Sequence, residues 1–206
     1  MNSKILYRTL KLCEEIYDES MYGVEDLYRI KDLSHALDEN HWNGKKWLAE
    51  KLYELYDHDA GKILVVGGWY GMMAYQLRQM WPQSQMNIES TDMDPMCEAY
   101  GHKLFHDYDI AFSTLNITNS LIIPQFTALV NTSCEHMEQK DLINLIEAKD
   151  PDCWVAFQSN NYTELDSHIN CHPTAEMFAD SLDLEWVAHI ETLNLGDFDR
   201  FMVIGK

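Results

Sequence analysis

Hydrophobic positions follow two different periods along the chain. Over roughly the first sixty residues they recur at helical spacing. Leu6, Leu10, Cys13 and Tyr17 predict a helix over 3–19, and Leu27, Ile30, Leu33 and Leu37 a second over 24–39. Trp47, Leu48, Leu52 and Leu55 predict a third over 45–56, with Asn43 as its N-cap after a break at Asn40 to Gly44. From Lys62 short apolar runs alternate with helical stretches. Strands are predicted over 62–66, 85–90, 110–114, 127–130 and 154–157, and helices over 71–80, 95–100, 138–147 and 174–181, with a turn at 81–84. The end differs: 184–190 and 200–204 are strand-like, and Leu195 to Asp199 between them leave no room for a crossover helix. That predicts a closing antiparallel hairpin. The whole is an α/β chain: a helical cap over 1–60, then a seven-stranded mixed sheet over 61–206.

The stretch from Lys62 to Met72 organises the rest. Ile63, Leu64, Val65 and Val66 suit a strand buried on both faces, and Gly67, Gly68 and Gly71 follow at once before a helical segment. Strand, glycine turn and helix open a nucleotide-binding βαβ unit, although G-G-x-x-G is not the G-x-G-x-x-G dinucleotide fingerprint. In open α/β sheets ligands sit beyond the carboxyl ends of the strands. Polar residues collect there: Asp92 after the second strand, Asn131 to His136 after the fourth, Gln158 to Asn161 after the fifth. An acid about 20 residues past the glycines suits a ribose diol, which favours Asp92. Asp94 is the alternative, or a helix cap before Pro95.

These segments resemble class I S-adenosylmethionine-dependent methyltransferases. V-G-G-W-Y-G (66–71), T-D-M-D-P (91–95), N-T-S-C-E-H (131–136) and Q-S-N-N (158–161) together are similar to a group of small methyltransferase-like proteins that includes bacteriophage members. The resemblance implies a Rossmann-like seven-stranded sheet with the last strand antiparallel, and S-adenosylmethionine as cofactor. It implies that Gly67, Gly68 and Gly71 lie against the methionine part, with Trp69 and Tyr70 of the same turn also at the cofactor, that Asp92 holds the ribose, that Asn116 meets the adenine, and that Asn131 faces the methyl group. Two features depart from the family: Val65 stands where an acid is usual, and Trp69 replaces the middle glycine. The segment after the fourth strand is not the N-P-P-Y of amino-group methyltransferases, so nitrogen on a base or glutamine is not implied.

Methyl transfer from a sulfonium is an in-line displacement that needs positioning and a deprotonated nucleophile. Glu135 and His136 are the candidate bases, and Asn131, Asn160 and Asn161 can orient an acceptor. The plainer alternatives are a cap for Asn131 or Ser133, a first-turn acid for Glu135 and a solvated loop for Asn160 and Asn161. Cys134, His136, His168, Cys171 and His172 are zinc-ligand types, but their spacing matches no finger or protease pattern, so no metal site is expected. Cys134 is either a nucleophile or a packing residue. The plainer expectation for the loop from His168 to Cys171 is that it covers the pocket. Tyr7, Tyr17, Tyr22, Tyr28, Trp42 and Trp47 are expected to pack, and Trp42, Asn43, Lys45 and Trp47 alternatively form an acceptor wall.

Charge narrows the partners. A net charge of −19 without a basic run argues against nucleic acid and anionic membranes, and leaves a small-molecule or peptide-like acceptor. No apolar run reaches the ~20 residues of a membrane span, and the N-terminus lacks a signal peptide's apolar centre. Five cysteines without C-x-x-C suit free thiols in a cytoplasm. Two other functions share this fold: a lyase or hydrolase that consumes the cofactor, and a non-catalytic acidic binding module whose pocket Trp69 blocks. Oligomeric state leaves no sequence signal.

Overall fold

The computed structural model describes residues 3–19, 24–56, 58–82, 85–117 and 125–206. Tyr22, and Gln83 and Ser84 of the expected turn, lie outside the described residues. The central strand β1 (Ala60–Val66) places Ile63 and Val65 on one face and Leu64 and Val66 on the other, all four buried. It runs parallel to β2 (Gln85–Asp92) on one side and to β4 (Ala128–Asn131) on the other. β3 (Ile110–Thr114) lies outside β2, and β5 (Trp154–Asn160) outside β4. β7 (Asp199–Gly205) is antiparallel to β5, and β6 (Val187–Asn194) is antiparallel to β7. The order is β3-β2-β1-β4-β5-β7-β6. The order reverses between β1 and β4, so a crevice opens beyond their carboxyl ends.

Both faces of the sheet are covered, as a parallel sheet requires. On the Ile63 and Val65 side lie α1 (Ser3–Glu19), α2 (Val24–Ala36), α3 (Glu39–Leu55), α4 (Met72–Met80) and α5 (Pro95–Phe105). On the other side lie α6 (Gln139–Glu147) and α7 (Ala175–Ser181). The N-terminal helices therefore share one continuous core with β1, α4 and α5.

Four expectations about the helices need correction. α2 ends at Ala36 and not at residue 39, and Leu27, expected on its apolar face, is exposed. In α1 the buried stripe is Ile5, Thr9, Leu12 and Ile16, and Leu6, Leu10 and Tyr17 are exposed. Two apolar stripes at helical spacing compete there, and tertiary contact selects the one facing α2 and α5. Tyr7 and Tyr28 are exposed as well. α3 begins at Glu39, capped by the Asp38 side chain accepting from the His41 N–H at 2.8 Å. Asn43 is an exposed residue inside this helix and not its cap. Gly44, which locally looks like a break, sits where a Cβ would stand 3.0 Å from Arg200 Cδ. Finally, α5 runs to Phe105 and not to residue 100; Asp94 caps it by accepting from Met96 N–H at 2.9 Å.

Gly71 closes the turn after β1 at φ 88°, and a Cβ there would lie 2.5 Å from Phe112 Cε1. Strain and overpacking together predict that Gly71→Ala loses about 2–4 kcal/mol of unfolding free energy. Equilibrium urea denaturation checks this, and a loss below about 0.5 kcal/mol would contradict the packing described.

Candidate functional site

A cavity of about 510 Å³ opens at the carboxyl ends of β1, β2 and β4. The turn after β1 forms one wall. Gly67, at φ 60°, lines it, and a Cβ there would meet nothing nearer among the described residues than Ser133 Cβ at 3.9 Å. The missing side chain thus leaves open space toward the cavity. Gly68 and Gly71 face inward: a Cβ on Gly68 would lie 2.0 Å from Ser90 Oγ, and Gly71 abuts Phe112. Their small size serves packing, and neither lines the cavity.

Asp92 ends β2 and is half-buried. Its Oδ2 accepts from Trp69 N–H at 2.9 Å and its Oδ1 from Asp94 N–H at 3.1 Å. A carboxylate offers about four lone-pair sites, so two remain for a ligand. Trp69 adopts a left-handed φ of 51°, sparsely populated for a bulky residue. That conformation turns the indole toward α2 and α3, where Nε1 donates to Asp32 Oδ2 at 2.9 Å and the ring meets His41 edge-on. The ring forms a wall of the cavity and leaves it open. Tyr70 is fully buried behind the turn, donating to the same Asp32 oxygen at 2.6 Å; burial, then its bond to Asp32, drives its phenol far above the ordinary range.

The opposite wall follows β4. Asn131 is fully buried and does not line the cavity; its Oδ1 accepts from Ser133 N–H at 2.7 Å and its Nδ2 donates to Met137 Sδ. It shapes the turn in which Cys134–His136 form a short 3₁₀ segment. Glu135 and His136 line the cavity. Glu135 is only 3% exposed, with Oε1 accepting from Asn160 Nδ2 at 2.8 Å and from Arg200 Nη2 at 3.4 Å. Asn160 is therefore a buried support for Glu135 and not a cavity residue. Arg200 also donates to Thr132 O at 3.2 Å. Cys134 is a packing residue: it is fully buried, and burial pushes its thiol well above the ordinary range. Beyond β5, Ser167 and Ile169 of the loop over 161–174 line the cavity. Asn170 N–H ties that loop to Glu135 O at 3.0 Å.

Of the residues picked from the sequence, Gly67, Trp69, Asp92, Asn116, Glu135 and His136 meet in this cavity. Trp42 packs on Tyr75, and Trp47 Nε1 donates to Glu191 Oε2, so neither forms an acceptor wall. Asp32, His41 and Arg200 line the cavity without a sequence signal, because α2, α3 and β7 reach it only through tertiary packing.

No family model and no curated protein matches the chain. Solved structures do. The mitomycin 7-O-methyltransferase MmcR is 12% identical, with a TM-score of 0.64 over 97% of this chain and 68% of that one. A TehB-like SAM-dependent methyltransferase from Corynebacterium glutamicum is 14% identical, with a TM-score of 0.56 over 87% and 95%. A coclaurine N-methyltransferase bound to N-methylheliamine and SAH is 14% identical, with a TM-score of 0.58 over 72% of this chain. The present chain spans about half of that enzyme, 51%. The fold is that of class I SAM-dependent methyltransferases.

Lys45 lies buried beside this site, its Nζ 5.9 Å from the Trp69 ring centroid. Burial, then repulsion by Arg200, lowers its pKa from 10.5 to about 7. Between those values the unfolded chain holds a proton that the folded protein has released, so this group makes stability rise with pH. Its full penalty is present below about pH 7 and has vanished above 10.5. Lys45→Met should therefore be more stable than the parent at pH 7 by roughly 1–4 kcal/mol. The gap should shrink toward pH 10. Denaturant titrations of both proteins across this range test it, and a gap that stays constant with pH would refute the assignment.

Proposed function

We propose that this protein is an S-adenosylmethionine-dependent methyltransferase acting on a small or peptide-like acceptor. The observation that carries this reading is the meeting, in one cavity, of an open glycine wall at Gly67 and the carboxylate of Asp92. The residues present fit the cofactor. Asp92 keeps lone pairs for a diol, and Leu115, Asn116 and Ile117 beyond β3 supply an apolar and amide-bearing edge for a base. Leu115 N–H donates to Asp92 O at 2.8 Å, which holds that edge against the end of β2.

Charge supports the same reading. Asp32, Asp92, Glu135, Glu138 and Asp141 all line the cavity, and among the described residues Arg200 is the permanent cation opposing them. Such a wall favours a cationic ligand. When bound, S-adenosylmethionine supplies a methyl group on a positively charged sulfur. The chain's own residues would do the rest. The turn at 67–69 and Asp92 orient the cofactor, Trp69 and His41 shield the cavity from the α2 and α3 side, and Glu135 and His136 offer lone pairs that take up the acceptor's proton. Ile169 and its loop limit the entry of water from the β5 side.

Calorimetric titration with S-adenosylhomocysteine tests this. The parent protein should bind it, and Asp92→Ala should weaken binding at least about tenfold, the loss of ~1.4 kcal/mol or more expected for charge-assisted hydrogen bonds. Equal affinity of the two proteins would remove Asp92 from the site, and no binding at millimolar ligand would overturn the proposal.

A further inference from the structure

We propose that Glu135, His136 and His168 form a site for one divalent transition-metal ion at the acceptor end of the cavity. One potential ligand atom from each of the three lies within 4.8 Å of the others. Hydrogen bonds decide which ring nitrogens keep a lone pair for an ion. His136 Nδ1 is 3.0 Å from Ser167 O, and His168 Nδ1 is 2.6 Å from Tyr162 O. A carbonyl only accepts, so in each neutral ring Nδ1 carries the proton and Nε2 keeps an open lone pair. A metal-ligating histidine is usually fixed in this way by its other ring nitrogen.

The second observation comes from the carboxylate. Glu135 Oε1 has two donors, whereas Oε2 is buried and has no hydrogen-bond partner among the described residues. A buried anionic oxygen without a partner is costly, and a cation beside it would remove that cost. The loop carrying His168 is held to the turn carrying Glu135 and His136 by the Asn170 N–H bond to Glu135 O. Zinc bonds of about 2.1 Å in tetrahedral geometry place ligand atoms about 3.4 Å apart. His136 is exposed and His168 half-buried, so both rings have room to close the remaining gap.

Two imidazoles and one carboxylate favour Zn²⁺, Co²⁺, Fe²⁺ or Mn²⁺ over Mg²⁺ and Ca²⁺, which prefer oxygen ligands. Arg200, on the far oxygen of Glu135, opposes a cation; Glu138 and Asp141, which line the same cavity, favour one. Three protein ligands leave a coordination position facing the cavity. Under the methyltransferase reading, on which this role rests, that position takes the oxygen of a hydroxyl acceptor. With the ion bound, the Glu135 and His136 lone pairs are engaged and no longer take the proton; the ion lowers the hydroxyl's pKa and its proton goes to bulk water instead. The oxygen–carbon bond then forms as the carbon–sulfur bond breaks, with the electron pair left on sulfur.

Co²⁺ is the probe. Protein stripped with EDTA and titrated with CoCl₂ should bind one ion per chain and develop visible absorption bands. His136→Ala and His168→Ala should each weaken binding by more than the roughly 10–100-fold typical of losing an outer-shell partner. His106→Ala, outside the group, should bind like the parent and serves as the control for histidine loss, with circular dichroism confirming that every variant is folded. Absence of Co²⁺ uptake, or uptake unchanged in both His136→Ala and His168→Ala, would overturn the site. Titrating the stripped protein with S-adenosylhomocysteine separates the two readings. Cofactor binding without metal binding overturns the site alone, and metal binding without cofactor binding leaves the site standing and removes the methyltransferase role.

Discussion

A carboxylate buried at the end of β4 constrains everything around it. Glu135 is almost wholly enclosed, and an ion removed from water survives only with donors supplied by the protein. Asn160 at the end of β5 and Arg200 at the start of β7 provide them. Arg200 is then itself buried, and it reaches Glu135 by passing α3 at Gly44, where a Cβ would stand 3.0 Å from its Cδ, tighter than an ordinary contact. Gln158 donates to Gly44 O at 2.8 Å and pins the helix at that point. α3, the centre of the sheet and the last strand thus converge around one side chain.

The other side of the cavity is organised around Asp92 in a comparable way. It accepts from the backbone of the glycine turn and from Asp94, so the ends of β1 and β2 and the start of α5 are held in one arrangement. Trp69, in its left-handed conformation, sends its indole to Asp32, and Tyr70 shares that acceptor. An indole in place of a small turn residue is therefore used to fasten α2 to the sheet. It stands beside the ligand space as a wall. The cavity that results has a glycine face, a carboxylate at its middle and a polar end at Glu135 and His136.

Much of the sheet was legible because it depends on local pattern. The four buried residues 63–66 read as a central strand, and the short link between the last two apolar runs could only join antiparallel neighbours. Helix faces were less so: α1 carries two apolar stripes, and only contact with α2 and α5 selects one. The start of α3 was misplaced because Gly44 carries a local signal for a break, while its actual reason, the approach of Arg200, lies 156 positions away (200 minus 44). The site divides along the same line. Gly67, Asp92, Asn116, Glu135 and His136 follow strand ends and could be picked out, whereas Asp32, His41 and Arg200 reach the cavity from elements whose docking has no local signature. Asn131, Asn160, Gly68 and Gly71 stand at the expected positions but point into the protein, where they support the lining residues.

The most direct test of the account is a crystal structure of the protein grown with S-adenosylhomocysteine. It should show the ligand in the cavity, its ribose hydroxyls on the Asp92 carboxylate and its amino-acid end over Gly67, with the Trp69 ring still turned to Asp32. Ligand bound elsewhere, or a Trp69 ring occupying the space above Gly67, would contradict it.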